Sequence, residues 1–93
     1  MRVSNMKGRT GRAVANQFLI HTDDGVYFQS YRTTIAYKPY DGAFMCGKIQ
    51  LDREAWDYSR TTGKYRNEFL GETKAETERK IKDGTYELVD LNG

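Results

Sequence analysis

Residues 16–31 read NQFLIHTDDGVYFQSY. Two runs rich in apolar and β-branched residues, 16–22 and 25–31, flank Asp23-Asp24-Gly25, and an Asp-Gly pair between such runs is a hairpin signal. Loop length then decides which side chains share a face, because strand side chains alternate with period two. A two-residue loop at Asp24-Gly25 pairs Thr22 with Tyr27 and mixes the faces. A three-residue loop with Gly25 in the left-handed region pairs Thr22 with Val26 and gathers Phe18, Ile20, Val26 and Phe28 on one side. The hydrophobic pattern favours the second register. The opposite side then carries Leu19, His21, Tyr27, Gln29 and Tyr31, which is too apolar for an ordinary solvent-facing sheet.

Downstream, Thr33–Lys38 (TTIAYK) reads as a third strand, Pro39-Tyr40-Asp41-Gly42 as a turn, and Ala43–Leu51 (AFMCGKIQL) as a fourth strand. The period then changes. Leu51, Ala55, Tyr58, Thr62, Tyr65 and Phe69 recur every three or four residues, which is a helix stripe with Asp52 as its cap. Gly63 interrupts it, so 53–70 is one kinked helix or two short ones. Thr73 and Glu76 form the T-x-x-E capping box of a further helix through Lys82, which Asp83-Gly84 stops. Tyr86–Leu91 alternates as a last strand. The expected fold is α+β: an antiparallel β-meander of about four strands, two or three short helices packed on one sheet face, then a final strand, ββββααβ.

The whole chain has 93 residues, 38% of them apolar, 30% charged and 13% aromatic. This is one domain with a small core built from large side chains. No apolar run is long enough for a membrane span or a secretory signal, so a cytoplasmic location is expected. Net charge is +2, but Arg2, Lys7, Arg9 and Arg12 stand in an N-terminal stretch without an acid, leaving eleven basic against thirteen acidic residues elsewhere. Residues 1–14 are therefore expected to be a flexible basic tail that could touch nucleic acid, with order starting near Ala15 and a single domain over 15–93.

Catalytic chemistry finds little support. Thr61-Thr62-Gly63-Lys64 lacks the glycine and the following Ser or Thr of a phosphate loop, since Tyr58 and Tyr65 hold those places. The same segment could bind an anion through Arg60, Lys64 and Arg66, or be a solvated helix face. Cys46 and His21 have no obvious third residue to orient the histidine. The carboxylates at 52, 54 and 57 lack the histidines of a metal cluster. No catalytic residue, metal or cofactor is expected, and an enzyme is the least favoured class. The tyrosines are more informative. Tyr27 and Tyr31 fall on the sheet face away from the expected core, and tyrosine is favoured at protein interfaces. One sheet face is expected to be completed by another chain, either a partner protein or a second copy.

From Ser30 onward, S-Y-R-T-T-I-A (30–36), W-D-Y-S-R-T-T-G-K-Y (56–65) and Phe69-Leu70 resemble a loosely defined group of small bacteriophage-encoded proteins. The resemblance covers about 40 residues, excludes the basic tail, and transfers no functional residue. It implies a protein that acts stoichiometrically in a host cytoplasm by binding and blocking a host protein, as anti-CRISPR and other anti-defence inhibitors do. The expected partner-binding residues are Tyr27, Tyr31, Arg60, Lys64 and Arg66. The alternative is a small nucleic-acid-binding protein using Arg2, Lys7, Arg9 and Arg12 with the helical basic residues.

Overall fold

A computed structural model describes residues 1–8, 10–40 and 48–93. Eight elements follow in order: β1 (Arg2–Lys7), β2 (Ala13–His21), β3 (Gly25–Ser30), β4 (Thr33–Pro39), β5 (Gln50–Asp52), α1 (Arg60–Leu70), α2 (Lys74–Lys82) and β6 (Glu87–Val89). The strands form one sheet in sequence order, antiparallel from β1 to β5. The final strand pairs parallel to β5, after the chain crosses over through both helices. The chain is thus α+β, with strands first, two helices next and a strand last.

The β2–β3 register matches neither loop considered from the sequence. His21 pairs with Val26, Ile20 with Tyr27 and Leu19 with Phe28, so the loop is Asp23-Asp24. Thr22 closes it: its N–H and hydroxyl donate to Gly25 O at 2.8 and 2.9 Å, and Oγ1 accepts from the Asp24 and Gly25 N–H groups. Gly25 does not have positive φ. It is required by space, because a Cβ there would lie 2.5 Å from Lys38 O and 2.8 Å from Pro39 Cα. Relative to the expected register, this one-residue shift turns β2 over. Leu19 joins Val26 and Phe28 on the core side, while Phe18 and Ile20 move to the outer side.

The core row runs Leu19, Phe28, Ala36, Leu51 and Leu88 across the sheet. A β-bulge between Phe28 and Gln29 sets Ile35 and Ala36 against Phe28, and both are fully buried. Phe69 of α1 caps this row, its ring centroid 5.7 Å from that of Phe28. Lys38 anchors the same spot, with Nζ donating to Phe69 O at 2.9 Å.

Two further expectations are corrected, and a third falls largely outside the described residues. Residues 2–7 form an edge strand, so order does not begin near Ala15. Met6 is buried in the core and Asn5 Nδ2 donates to Val14 O. Only Val3 and Met6 are apolar there, and their three-residue spacing does not fit strand alternation, so the strand is held by pairing rather than announced by pattern. The helix expected over 53–70 begins at Arg60, capped by Ser59, whose hydroxyl accepts from Thr62 N–H at 3.1 Å. Asp52 instead organises a turn, accepting from Glu54 and Ala55 N–H through one oxygen and from Leu91 N–H through the other. The strand expected over 43–51 is described only as β5, since 41–47 lie outside the described residues together with half of the expected turn at 39–42.

The capping box of α2 is present as expected. Just before it, the Glu72 carboxylate, 3% exposed, ties the helical layer to the last strand. It accepts from Lys80 Nζ at 2.6 Å, Thr77 hydroxyl at 2.6 Å and Tyr86 hydroxyl at 2.7 Å. Burial pushes this carboxyl's pKa up, but the three donors outweigh it and hold the pKa below the usual 4.5. Burial, and then the bond to Glu72, push the Tyr86 hydroxyl to about 12. Glu72 therefore contributes stability above pH 4.5 that is lost as pH falls through its lowered pKa. The Tyr86 contribution is complete below pH 10 and lost towards pH 12. The thermal midpoint is expected to fall between pH 6 and pH 3, and Glu72→Gln should lower the midpoint at pH 6 while flattening that acid slope, read by circular dichroism melts.

Candidate functional site

Two surfaces carry side chains that the fold does not use internally, and they lie on opposite layers. The first is the outer sheet face. Its central row is Val3, Ile20, Tyr27, Tyr37, Gln50 and Glu87, and the next row is Asn5, Phe18, Gln29 and Thr34. Phe18, Ile20, Tyr27 and Tyr37 are half-buried and Val3 is 55% exposed, yet none belongs to the core cluster. Helix α1 packs on the other side, with Phe69 against Phe28. Tyr27 and Tyr37 stack with centroids 4.5 Å apart and planes at 37°. Burial first, then Tyr27, Asp24 and Tyr40, raise the Tyr37 hydroxyl pKa above its ordinary value. Of the ten side chains in these rows only Glu87 is charged.

At the end of this sheet, Tyr31 and Arg32 form the two-residue β3–β4 loop. Tyr31 is 53% exposed and has φ 57°, the first loop position of a turn that ordinarily takes glycine. A left-handed non-glycine residue costs about 1–2 kcal/mol. The conformation is fixed from both sides: Tyr31 N–H donates to Asn16 O at 2.6 Å, and Tyr31 O accepts from Gln29 Nε2 at 2.8 Å. Below the loop, the Ser30 and Thr62 hydroxyls are 3.1 Å apart and buried, which ties it to the first turn of α1.

The second surface is a groove of about 630 Å³ between α1 and the start of α2. Among the described residues Asp57, Ser59, Arg60, Gly63, Lys64, Arg66, Asn67 and Lys74 line it, four cations against one carboxylate. Asp57 binds Arg66 Nη1 at 3.1 Å and Lys74 Nζ at 2.7 Å. Burial raises the Asp57 pKa, but those two cations outweigh it and leave the pKa low.

The expected site residues therefore separate. Tyr27 is on the outer face and Tyr31 at its end, while Arg60 and Lys64 are exposed on α1 across the sheet. Arg66 is not a surface residue. It is 1% exposed and donates to Trp56 O at 2.7 Å, to Asp57 and to Asn67 Oδ1, with its guanidinium 5.2 Å from the Trp56 ring. Its i,i+4 spacing from the buried Thr62 is the signal that could have placed it inward. Arg2 and Lys7 are exposed on β1 and Arg12 just before β2. Arg9 and Cys46 lie outside the described residues, and His21 Nδ1 is 3.4 Å from the Tyr40 hydroxyl. Sequence reading missed Tyr37, because the register that stacks it on Tyr27 was not expected, and Lys74, whose partner is seventeen residues away.

A family model matches residues 1–84. The chain belongs to DUF8033, a family of unknown function. No curated protein and no solved structure matches it. The DUF8033 match runs from β1 through α2 and so contains the outer-face tyrosines, the Tyr31 loop and the whole groove. Among the described residues no helix is long and apolar enough to cross a membrane.

The buried guanidinium gives a direct stability test. Arg66→Ala should cost about 3 kcal/mol in urea unfolding, since it leaves a cavity and orphans Trp56 O. Arg66→Lys should recover little, because an ammonium cannot fork to the same acceptors. Lys64→Ala should stay within about 0.5 kcal/mol.

Proposed function

We propose that this chain is a small non-enzymatic accessory protein that works by binding another protein through the outer sheet face. One observation carries the reading: a contiguous apolar and aromatic row, Val3, Ile20, Tyr27 and Tyr37, lies outside the core and almost without charge. A stacking surface for nucleic acid needs basic side chains to track the phosphates, and these rows have none. A protein interface needs a buried aromatic centre and a polar rim. Phe18, Tyr27 and Tyr37 supply the centre, and Asn5, Gln29, Thr34 and Gln50 the rim. Tyr31 extends the surface at one end in a conformation held despite its cost, as strained residues at binding sites often are. The resemblance to small phage proteins supports a host protein as the partner and occlusion as the mechanism, with a defence factor as the target.

The reading is tested by capturing partners on the immobilised chain, with and without nuclease, and repeating the capture with variants. Tyr27→Ser/Tyr37→Ser should lose the captured protein by 10-fold or more while the fold persists. Tyr31→Asn should raise stability by up to about 1 kcal/mol, because asparagine tolerates the left-handed region, and yet weaken capture. Retention of the partner by the double variant, or its loss on nuclease treatment, would count against this face. A shift from dimer to monomer in the double variant would make the partner a second copy.

A further inference from the structure

The α1–α2 groove lies across the sheet from the face just described and does not depend on that reading. Arg60 and Lys64 stand four residues apart on one side of α1, about 6 Å along its axis. Lys74 in the first turn of α2 supplies the other bank. Asp57, the one carboxylate lining the groove among the described residues, already holds Arg66 and Lys74. Among the described residues Arg60 and Lys64 have no carboxylate partner. The first turn of α1 contains no acid, so its positive dipole end adds to the same field. In the wall, Arg66 is 1% exposed and its Nε–H has no hydrogen-bond partner, a buried donor left over in a site already rich in positive charge. Tyr58, which in the chain separates the lining residues Asp57 and Ser59, is 50% exposed.

We infer that this groove binds the phosphate backbone of a single nucleic-acid strand, with phosphates over Arg60, Lys64 and Lys74 and a base stacked on Tyr58. Cations spaced along one helix, with an exposed aromatic residue two positions before Arg60 in the chain, are the combination that backbone tracking with stacking calls for. An acidic peptide would meet the same cations but would leave the ring without a role. The Gly63-Lys64 pair, which fails as a phosphate loop, then has a part to play as helix surface.

The probe is a fluorescein-labelled 12-nucleotide oligothymidylate, followed by anisotropy. Trp56, the single tryptophan of the chain, reports locally because it packs against Arg66. Binding at 50 mM salt should change Trp56 emission. Three phosphate contacts give a salt slope near −2 for a single strand, so affinity should fall roughly 20-fold between 50 and 200 mM salt. Lys64→Glu and Arg60→Glu should each weaken binding by about 10-fold or more, and Tyr58→Ser by a similar factor, with circular dichroism unchanged. Inorganic phosphate should compete at millimolar concentration. If Lys64→Glu fails to fold, Lys64→Ala should give a loss of about 3-fold. The inference is overturned if folded Lys64 and Arg60 variants bind as tightly as the parent. It is also overturned if Arg2→Ser/Lys7→Ser/Arg12→Ser alone abolishes binding, which would move the site to the β1 edge. Equal affinity for polyglutamate, unaffected by Tyr58→Ser, would assign the groove to acidic peptides instead.

Discussion

The contact between Phe28 and Phe69 joins the two layers. Phe28 is fully buried on a central strand, and Phe69 comes from the last turn of α1. For that contact to exist, β3 must present Phe28 inward and β2 must place Leu19 beside it. The second condition follows from the Asp23-Asp24 loop, the Thr22 hydroxyl that closes it, and the bare Cα of Gly25 against β4. A slip of one residue would move the inward set of a strand to the outside. The same register that buries Phe28 therefore leaves Phe18, Ile20, Tyr27 and Tyr37 on the other side.

The helical layer is secured by polar groups as much as by apolar ones. Arg66, Thr62 and Thr77 are buried on the two helices, and each side chain has a partner: Trp56 O and Asp57, the Ser30 hydroxyl, and Glu72. Buried polar groups of this kind cost stability unless they are satisfied. In return they fix where each helix sits, which a core with only eight buried hydrophobic residues among the described residues specifies loosely. The arrangement divides labour among the basic residues of one short segment. Arg66 is consumed by structure, while Arg60 and Lys64, on the exposed side of the same helix, are left for solvent or a ligand.

The two candidate surfaces differ in chemistry because they lie on different layers. The sheet face is apolar and almost uncharged, and the groove is polar and cationic. A sheet covered on one side by helices has another side that must face water or a partner. The groove arises where the turn before α1 brings Asp57 under the start of α2, so that one carboxylate gathers cations from both helices.

Some of this was legible in the chain itself. Alternation marked β2, β3 and β4, the T-x-x-E box marked α2, and the stripe ending at Phe69 marked α1, because these signals are local and have fixed periods. The surplus of aromatic residues on the sheet was also visible. Tyr27 was already legible on that surface, and tertiary structure alone decided that Phe18 and Tyr37 join it. The choice rests on a turn set by Thr22 and by the approach of β4 to Gly25, contacts that a short window of sequence does not contain. It likewise decided that Arg2–Lys7 is a strand, since an edge strand with two apolar residues is stabilised by its neighbour's backbone. It decided, too, that Arg66 is buried, since only the fold brings Trp56 O and Asp57 to the guanidinium.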